Sequence, residues 1–276
     1  MPAKPKRTRK TIVLVGAGRM GTALLKGWIA RKLGPIVVVE PKPSPELKRL
    51  TQSKRISLHG SIEDVDASAV GVCVVAIKPQ ILRSEAARLK AFADAGALIL
   101  SIAAGTSTQS FARACGAKAR IIRSMPNLPG SIGKGISALY ATAKATAKDR
   151  VEAEALLAAL GDTVWVKKEA MIDTVTAVSG SGPAYVFLMV EALAAAAERE
   201  GLSRPLALKL ARATVTGAGA LLEASDKPAD ELRRDVTSPG GTTEAALGVL
   251  MEQDALSVLI ARAVEAARKR AHELST

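Results

Sequence analysis

The run Thr11-Ile-Val-Leu-Val-Gly-Ala-Gly-Arg-Met-Gly21 constrains this chain more than any other stretch. Thr11 to Val15 is β-branched apart from Leu14 and reads as a buried strand. Gly16, Gly18 and Gly21 follow in G-x-G-x-x-G spacing, and residues 22–30 continue with helical apolar periodicity. Each glycine has a physical task. Gly16 permits the tight turn, Gly18 lets backbone approach a pyrophosphate, and Gly21 lets the helix press against the strand. The anion sits on unpaired N–H groups at the helix start, where the macrodipole favours negative charge. Ala17, Arg19 and Met20 line the same turn. Such a fingerprint is weak alone and stronger when it opens an α/β pattern as strand, turn and helix.

That α/β pattern is present. Residues 35–40 read as a second strand ending in Glu40, where a dinucleotide fold places the carboxylate that accepts the ribose hydroxyls. The alternative is a solvated strand-end glutamate. Lys42, Lys48 and Arg49 follow and offer a receptor for a 2′-phosphate. Cofactor choice is open between NADH and NADPH, with Glu40 tilting it towards NADH by charge repulsion. A helix is expected over 44–53. Residues 70–77 are almost wholly apolar and fit a central parallel strand. Ala76, Lys78 and Pro79 stand at its carboxyl end, where open α/β sheets bind ligands, with Pro79 at a helix start. Strands over 97–104 and 120–124 follow, the latter leading into Met125 and Asn127 at the same sheet edge. Strands at 137–141 and 163–166 flank a helix at 147–160. The alternation predicts a doubly wound, mostly parallel sheet over 11–168.

From Glu169 the texture changes to Ala- and Leu-rich helical periodicity, with helices expected at 186–200, 206–224, 229–235, 243–253 and 256–274. Residues 192–197 carry few large side chains, so this all-α half (169–276) buries little of its own surface. A partner subunit would make up the deficit. Two glycine- and hydroxyl-rich loops interrupt it, at 179–185 and 238–243. Both are expected to present concave arrays of backbone N–H groups to a carboxylate or phosphate. Ordinary capped turns are the alternative for each.

Composition removes other classes. The net charge of +13 raises nucleic-acid binding. However, much of the excess lies in a basic tail, residues 1–10, expected to be disordered, and only 3% of residues are aromatic. No stacking platform for bases is present. Cys73 and Cys115 form no C-x-x-C pair, and no metal site is readable. Two unpaired cysteines suit a reducing cytoplasm. No apolar run of membrane-span length is evident. The two histidines, His59 and His272, stand in no pocket-forming motif.

Gly16-Ala-Gly-Arg-Met-Gly21, Ala76-Ile-Lys-Pro-Gln80, Ser101-Ile-Ala-Ala-Gly105, Met125-Pro-Asn127, Ser179-Gly-Ser-Gly-Pro-Ala-Tyr185 and Val236-Thr-Ser-Pro-Gly-Gly-Thr-Thr243 together resemble pyrroline-5-carboxylate reductase over residues 11–270. The resemblance implies a Rossmann domain followed by an all-α dimerisation domain, with dimers assembling further into decamers. It implies reduction of 1-pyrroline-5-carboxylate to L-proline by NADH or NADPH. Under that reading Ser238, Gly240, Gly241, Thr242 and Thr243 hold the substrate carboxylate. Thr243, helped by Ser238, serves the ring nitrogen. Glu40 departs from the small or basic residue that NADPH-using members often carry. The nearest enzymatic rival is a β-hydroxyacid dehydrogenase. It needs a lysine one turn into the helix after its glycine loop, and none follows Gly182 here. A non-catalytic NAD-sensing or nucleic-acid-binding protein is the remaining alternative.

Overall fold

A computed structural model describes residues 10–78, 80–81 and 85–275. The basic tail up to residue 9 and Pro79 therefore lie outside the described residues. The chain divides into two compact units. The first runs to Gly180 and takes back the segment from Arg268, and the second is Ser181–Ala267.

The first unit is built on eight strands: β1 Thr11–Val15, β2 Ile36–Val39, β3 Ser57–His59, β4 Val70–Val75, β5 Leu98–Ser101, β6 Arg120–Met125, β7 Gly135–Ala141 and β8 Gly161–Trp165. They form one sheet in the order β3-β2-β1-β4-β5-β6-β7-β8. All pairings are parallel except β6 with β7. That exception follows from the connection. Only a short 3-10 turn, Leu128–Ile132, lies between β6 and β7, too little for the crossover that parallel neighbours require. β3 was not expected. Its three residues are too few to carry a period.

Residues alternate between the two sheet faces, and both faces are covered. Ile12, Leu14, Val72, Val74, Leu98, Leu100 and Ile122 meet Leu24, Leu25 and Trp28 of helix α1 (Arg19–Ala30) on one side. Val13, Val15, Cys73, Val75, Ile99 and Ile121 meet Phe92 and Phe111 on the other. Phe92 lies on α3 (Lys90–Asp94) and Phe111 on α4 (Thr108–Cys115). The helix α2 is Pro45–Gln52, started by the Ser44 hydroxyl accepting from the Leu47 N–H. The expected helix at 147–160 is α5, Ala147–Leu157, opened by a capping box between Thr146 and Asp149. Trp28 donates its indole N–H to the Leu156 carbonyl at 2.8 Å and so ties α1 to α5.

The second unit contains α7 (Gly182–Arg199), α8 (Arg204–Ala224), α9 (Ala229–Asp235), α10 (Thr242–Met251) and most of α11 (Ala255–Ser275). Its hydrophobic core among the described residues is Ala194, Ala207 and Ala211. Large apolar side chains stay exposed instead: Phe187 at 55%, Leu188 at 62%, Val249 at 70% and Leu259 at 59%. The membrane expectation needs a correction. A short helix α6 (Met171–Val175), a π turn (Thr176–Gly180) and α7 join into one helical stretch, Met171–Arg199. By length and composition alone that stretch is long and apolar enough to cross a bilayer. The criterion is equally met by a helix whose apolar face another chain covers.

Candidate active site

The glycine loop is shaped by what a side chain would strike. Gly16 has φ +90°, and a Cβ there would stand 2.6 Å from the Ile77 Cγ2 and 2.9 Å from the Ala76 carbonyl oxygen. A Cβ on Gly21 would meet the Gly16 carbonyl oxygen at 2.4 Å, so the helix rests directly on the turn. Gly18 is exposed and its Cβ position faces nothing within 4 Å. Gly18 is also the N-cap of α1, and no side chain caps that end. The first-turn amides of Arg19, Met20 and Gly21 therefore lack helical acceptors. This cradle fits a pyrophosphate. Arg19 is exposed beside it, whereas Met20 is half-buried and packs on the hydrophobic core. The Thr22 hydroxyl donates to the Ala17 carbonyl at 2.9 Å and steadies the loop.

Glu40, just after β2, is fixed to this loop. Its Oε2 accepts the Ala17 N–H at 3.0 Å and its Oε1 accepts the Lys42 N–H at 3.1 Å. A carboxylate offers about four acceptor sites, so it retains capacity for ribose hydroxyls. Lys42, Lys48 and Arg49 are exposed. At the neighbouring β4 edge, the Ala76 N–H donates to the Val15 carbonyl at 2.8 Å and Lys78 is exposed. Met125, at the β6 edge, packs its Cε 3.0 Å from where a Gly180 Cβ would be. Asn127 was expected on the cofactor. Its side chain forms a bracket, accepting the Ile136 N–H at 3.0 Å and donating to the Ser179 carbonyl at 3.2 Å.

The two loops of the helical half differ. The first is not a loop at its start, because residues 176–180 wind into the π turn. The Thr176 and Ser179 hydroxyls donate back to the Ile172 and Val175 carbonyls. Ser179 and Gly180 are therefore wound into a helical turn, which corrects the loop expectation for this part of 179–185. The second is a true turn. Pro239 and Gly240 occupy its centre, Gly240 with φ +70°, and the Gly241 N–H donates to the Ser238 carbonyl at 3.0 Å. Pro followed by a glycine at positive φ is the signature of a type II turn. The Gly241 amide is thus used within the turn and drops out of the expected donor set. Gly241 is the N-cap of α10, with no side-chain cap. The amides of Thr242 and Thr243, in the helix's first turn, are left without helical acceptors. Ser238 is exposed and Thr243 half-buried.

One cluster was missed by the sequence reading. Arg123 on β6 is 4% exposed, 3.0 Å from Glu169 and 4.0 Å from Asp173. Asp173 also meets the His272 Nδ1 at 3.3 Å, and the Thr108 N–H donates to Glu169 at 2.7 Å. His272 thus lines a pocket of about 360 Å³ after all, one that shares no residue with the glycine loop. The signal was an arginine directly after the apolar pair Ile121 and Ile122 of β6. With its carboxylates already paired, the cluster reads as a clamp on the end of α11. Among the described residues no group of three or more His, Cys, Asp or Glu side chains is arranged for a metal.

A family model described as pyrroline-5-carboxylate reductase dimerisation matches residues 169–274. One described as NADP oxidoreductase, coenzyme F420-dependent, matches residues 11–105. The pyrroline-5-carboxylate reductase of Pseudomonas aeruginosa is 37% identical over 269 residues, 96% of either chain. That of Synechocystis is 38% identical over 265 residues, 95% of this chain and 97% of its own. Among solved structures, a pyrroline-5-carboxylate reductase from Coxiella burnetii has a TM-score of 0.89 at 34% identity. It covers 97% of this chain and 99% of its own. The NADP-bound pyrroline carboxylate reductase of Plasmodium falciparum scores 0.80 at 27% identity, over 98% and 99% of the two chains.

Proposed function

This chain belongs to the pyrroline-5-carboxylate reductase family, and from that premise we propose that it reduces 1-pyrroline-5-carboxylate to L-proline with a nicotinamide dinucleotide. The uncapped amides at the start of α10 carry the reading, because they follow a turn that is already closed on itself. Bound at the cradle, the cofactor supplies a hydride to the imine carbon. The Arg19, Met20 and Gly21 amides hold its pyrophosphate, Glu40 its adenosine ribose, and Ala76 and Lys78 border it at the β4 edge. Pro79 and Met125 belong to the same expected lining.

The protein's other contribution is position. The Thr242 and Thr243 N–H groups, with the Ser238 hydroxyl, hold the substrate carboxylate. The Thr243 hydroxyl hydrogen-bonds the ring nitrogen as that nitrogen takes its proton from solvent. Gly240 and Gly241 shape the turn that keeps these donors together. Glu40 favours NADH over NADPH, since its charge faces any 2′-phosphate. Exposed apolar helices in the second unit, within a family dimerisation domain, support a homodimer. The family resemblance extends this to decamers. Cys73 and Cys115 are not joined in a disulfide, which supports a cytoplasmic setting.

Thr243→Ala tests the assignment. A lost transition-state hydrogen bond lowers kcat and kcat/KM together while NADH binding survives. Wild-type values of both for the imine would show that the site lies elsewhere.

A further inference from the structure

Glu244, the residue after Thr243, reaches back over the turn, and its Oε2 accepts the Gly240 N–H at 2.7 Å. The amide between Pro239 and Gly240 is the central peptide of the type II turn. It is the one that must flip for the turn to become type I, where residue i+2 has negative φ. Gly240, at φ +70°, has access to both forms at little steric cost. The Pro239–Gly240 pair favours the form observed without excluding the other. The Gly241 N–H bond to the Ser238 carbonyl is compatible with either. The Glu244 carboxylate adds to that selection, because only one orientation of the central peptide aims its N–H at the helix.

From this geometry we infer that Glu244 is a positioning residue for the reduction, acting through Gly240 to hold the 238–241 turn in the form that keeps Ser238 beside the Thr242 and Thr243 amides. The inference rests on the substrate-carboxylate site proposed above. It differs from a helix-capping role, which contributes stability and leaves the turn's conformation to itself.

The experiment compares Glu244→Ala and Glu244→Gln with Thr243→Ala in the full-length enzyme, measuring KM for pyrroline-5-carboxylate, kcat, Kd for NADH and Tm. Alanine removes the acceptor, and glutamine keeps an amide oxygen that still accepts the Gly240 N–H. The expected result is a KM raised about tenfold in Glu244→Ala, in line with loss of one charge-assisted hydrogen bond. NADH affinity should be unchanged, and KM restored to within about twofold of wild type in Glu244→Gln. A wild-type KM in Glu244→Ala, even with a lowered Tm, leaves only a helix cap and overturns the inference. An equal rise in both Glu244 variants overturns it too, since charge and not the hydrogen bond would then matter. If Thr243→Ala also behaves as wild type, the substrate site itself is misplaced. If Thr243→Ala is impaired and Glu244→Ala is not, only the positioning role fails.

Discussion

Replacing Glu40 with Gln separates two jobs that the carboxylate performs at once. In the native protein its two oxygens accept from the Ala17 and Lys42 amides at 3.0 and 3.1 Å. Glutamine has one acceptor oxygen, so one of these amides loses its partner. That loss costs about 1–3 kcal/mol, and it applies whichever dinucleotide is bound. The charge, by contrast, matters only for a cofactor bearing a 2′-phosphate. Two unit charges about 5 Å apart repel by about 1 kcal/mol in water and about 3 kcal/mol at an effective dielectric of 20. Glu40 is half-buried, so its site lies between these limits. The loop term cancels in the ratio of kcat/KM for NADPH to kcat/KM for NADH, and the charge term remains. We expect Glu40→Gln to raise that ratio about 5- to 150-fold, while kcat/KM for NADH falls. Steady-state kinetics with each cofactor, at fixed imine concentration, reads both. A ratio unchanged within twofold, with both activities reduced, would refute the electrostatic reasoning and leave Glu40 as a bracket for the glycine loop alone.

Two further outcomes follow from buried groups. Burial pushes the Cys115 thiol up to about 11, and Cys73, beside Cys115 in the core, higher still. The stability from keeping these thiols neutral is fully present below about pH 9, the ordinary thiol value, and is lost as pH rises through the folded values. Tm should fall across that alkaline window less in Cys73→Ala/Cys115→Ala than in wild type. A disulfide reagent that modifies both thiols of the native protein within seconds at pH 8 would contradict the burial. The Ser137 hydroxyl on β7 is buried and has no hydrogen-bond partner among the described residues. Ser137→Ala should therefore raise stability by up to about 1 kcal/mol, or Tm by about 2–4 °C. A Tm lowered by that amount in thermal unfolding would show that the hydroxyl is satisfied in solution.

What could be read from the sequence was what local chemistry decides. The glycine fingerprint was legible because a positive φ at Gly16 and close approach at Gly21 leave no other residue type. The central strands were legible because both their faces are buried, so the sequence is apolar without interruption. Helix ends were read late at α1, which begins at Arg19 and not at Thr22, because glycine-rich residues mask the first turn. At the 108–115 helix only the end, at Cys115, was legible, as its apolar face is only Phe111, Cys115 and small residues. Ser179 and Gly180 were misread because Ser and Gly favour loops locally. There the continuous helix, with hydroxyls bonded back to Ile172 and Val175, overrides that preference. Glu40 with Ala17 and Arg123 with Asp173 join residues far apart in sequence, and no spacing rule predicts such pairs. At 238–243 the residue types pointed to the turn, while the use of each amide needed coordinates.

A unit whose own core is three alanines draws little of its folding energy from within. In a homodimer, that energy enters through association and therefore carries a concentration. Each tenfold dilution removes about 1.4 kcal/mol of apparent stability from the dimer. The abundance of this enzyme and the integrity of its fold are then one variable. A charged substitution at exposed Leu188 or Leu259 would act on the native state as dilution does, lowering the fraction folded without touching a residue that binds substrate or cofactor.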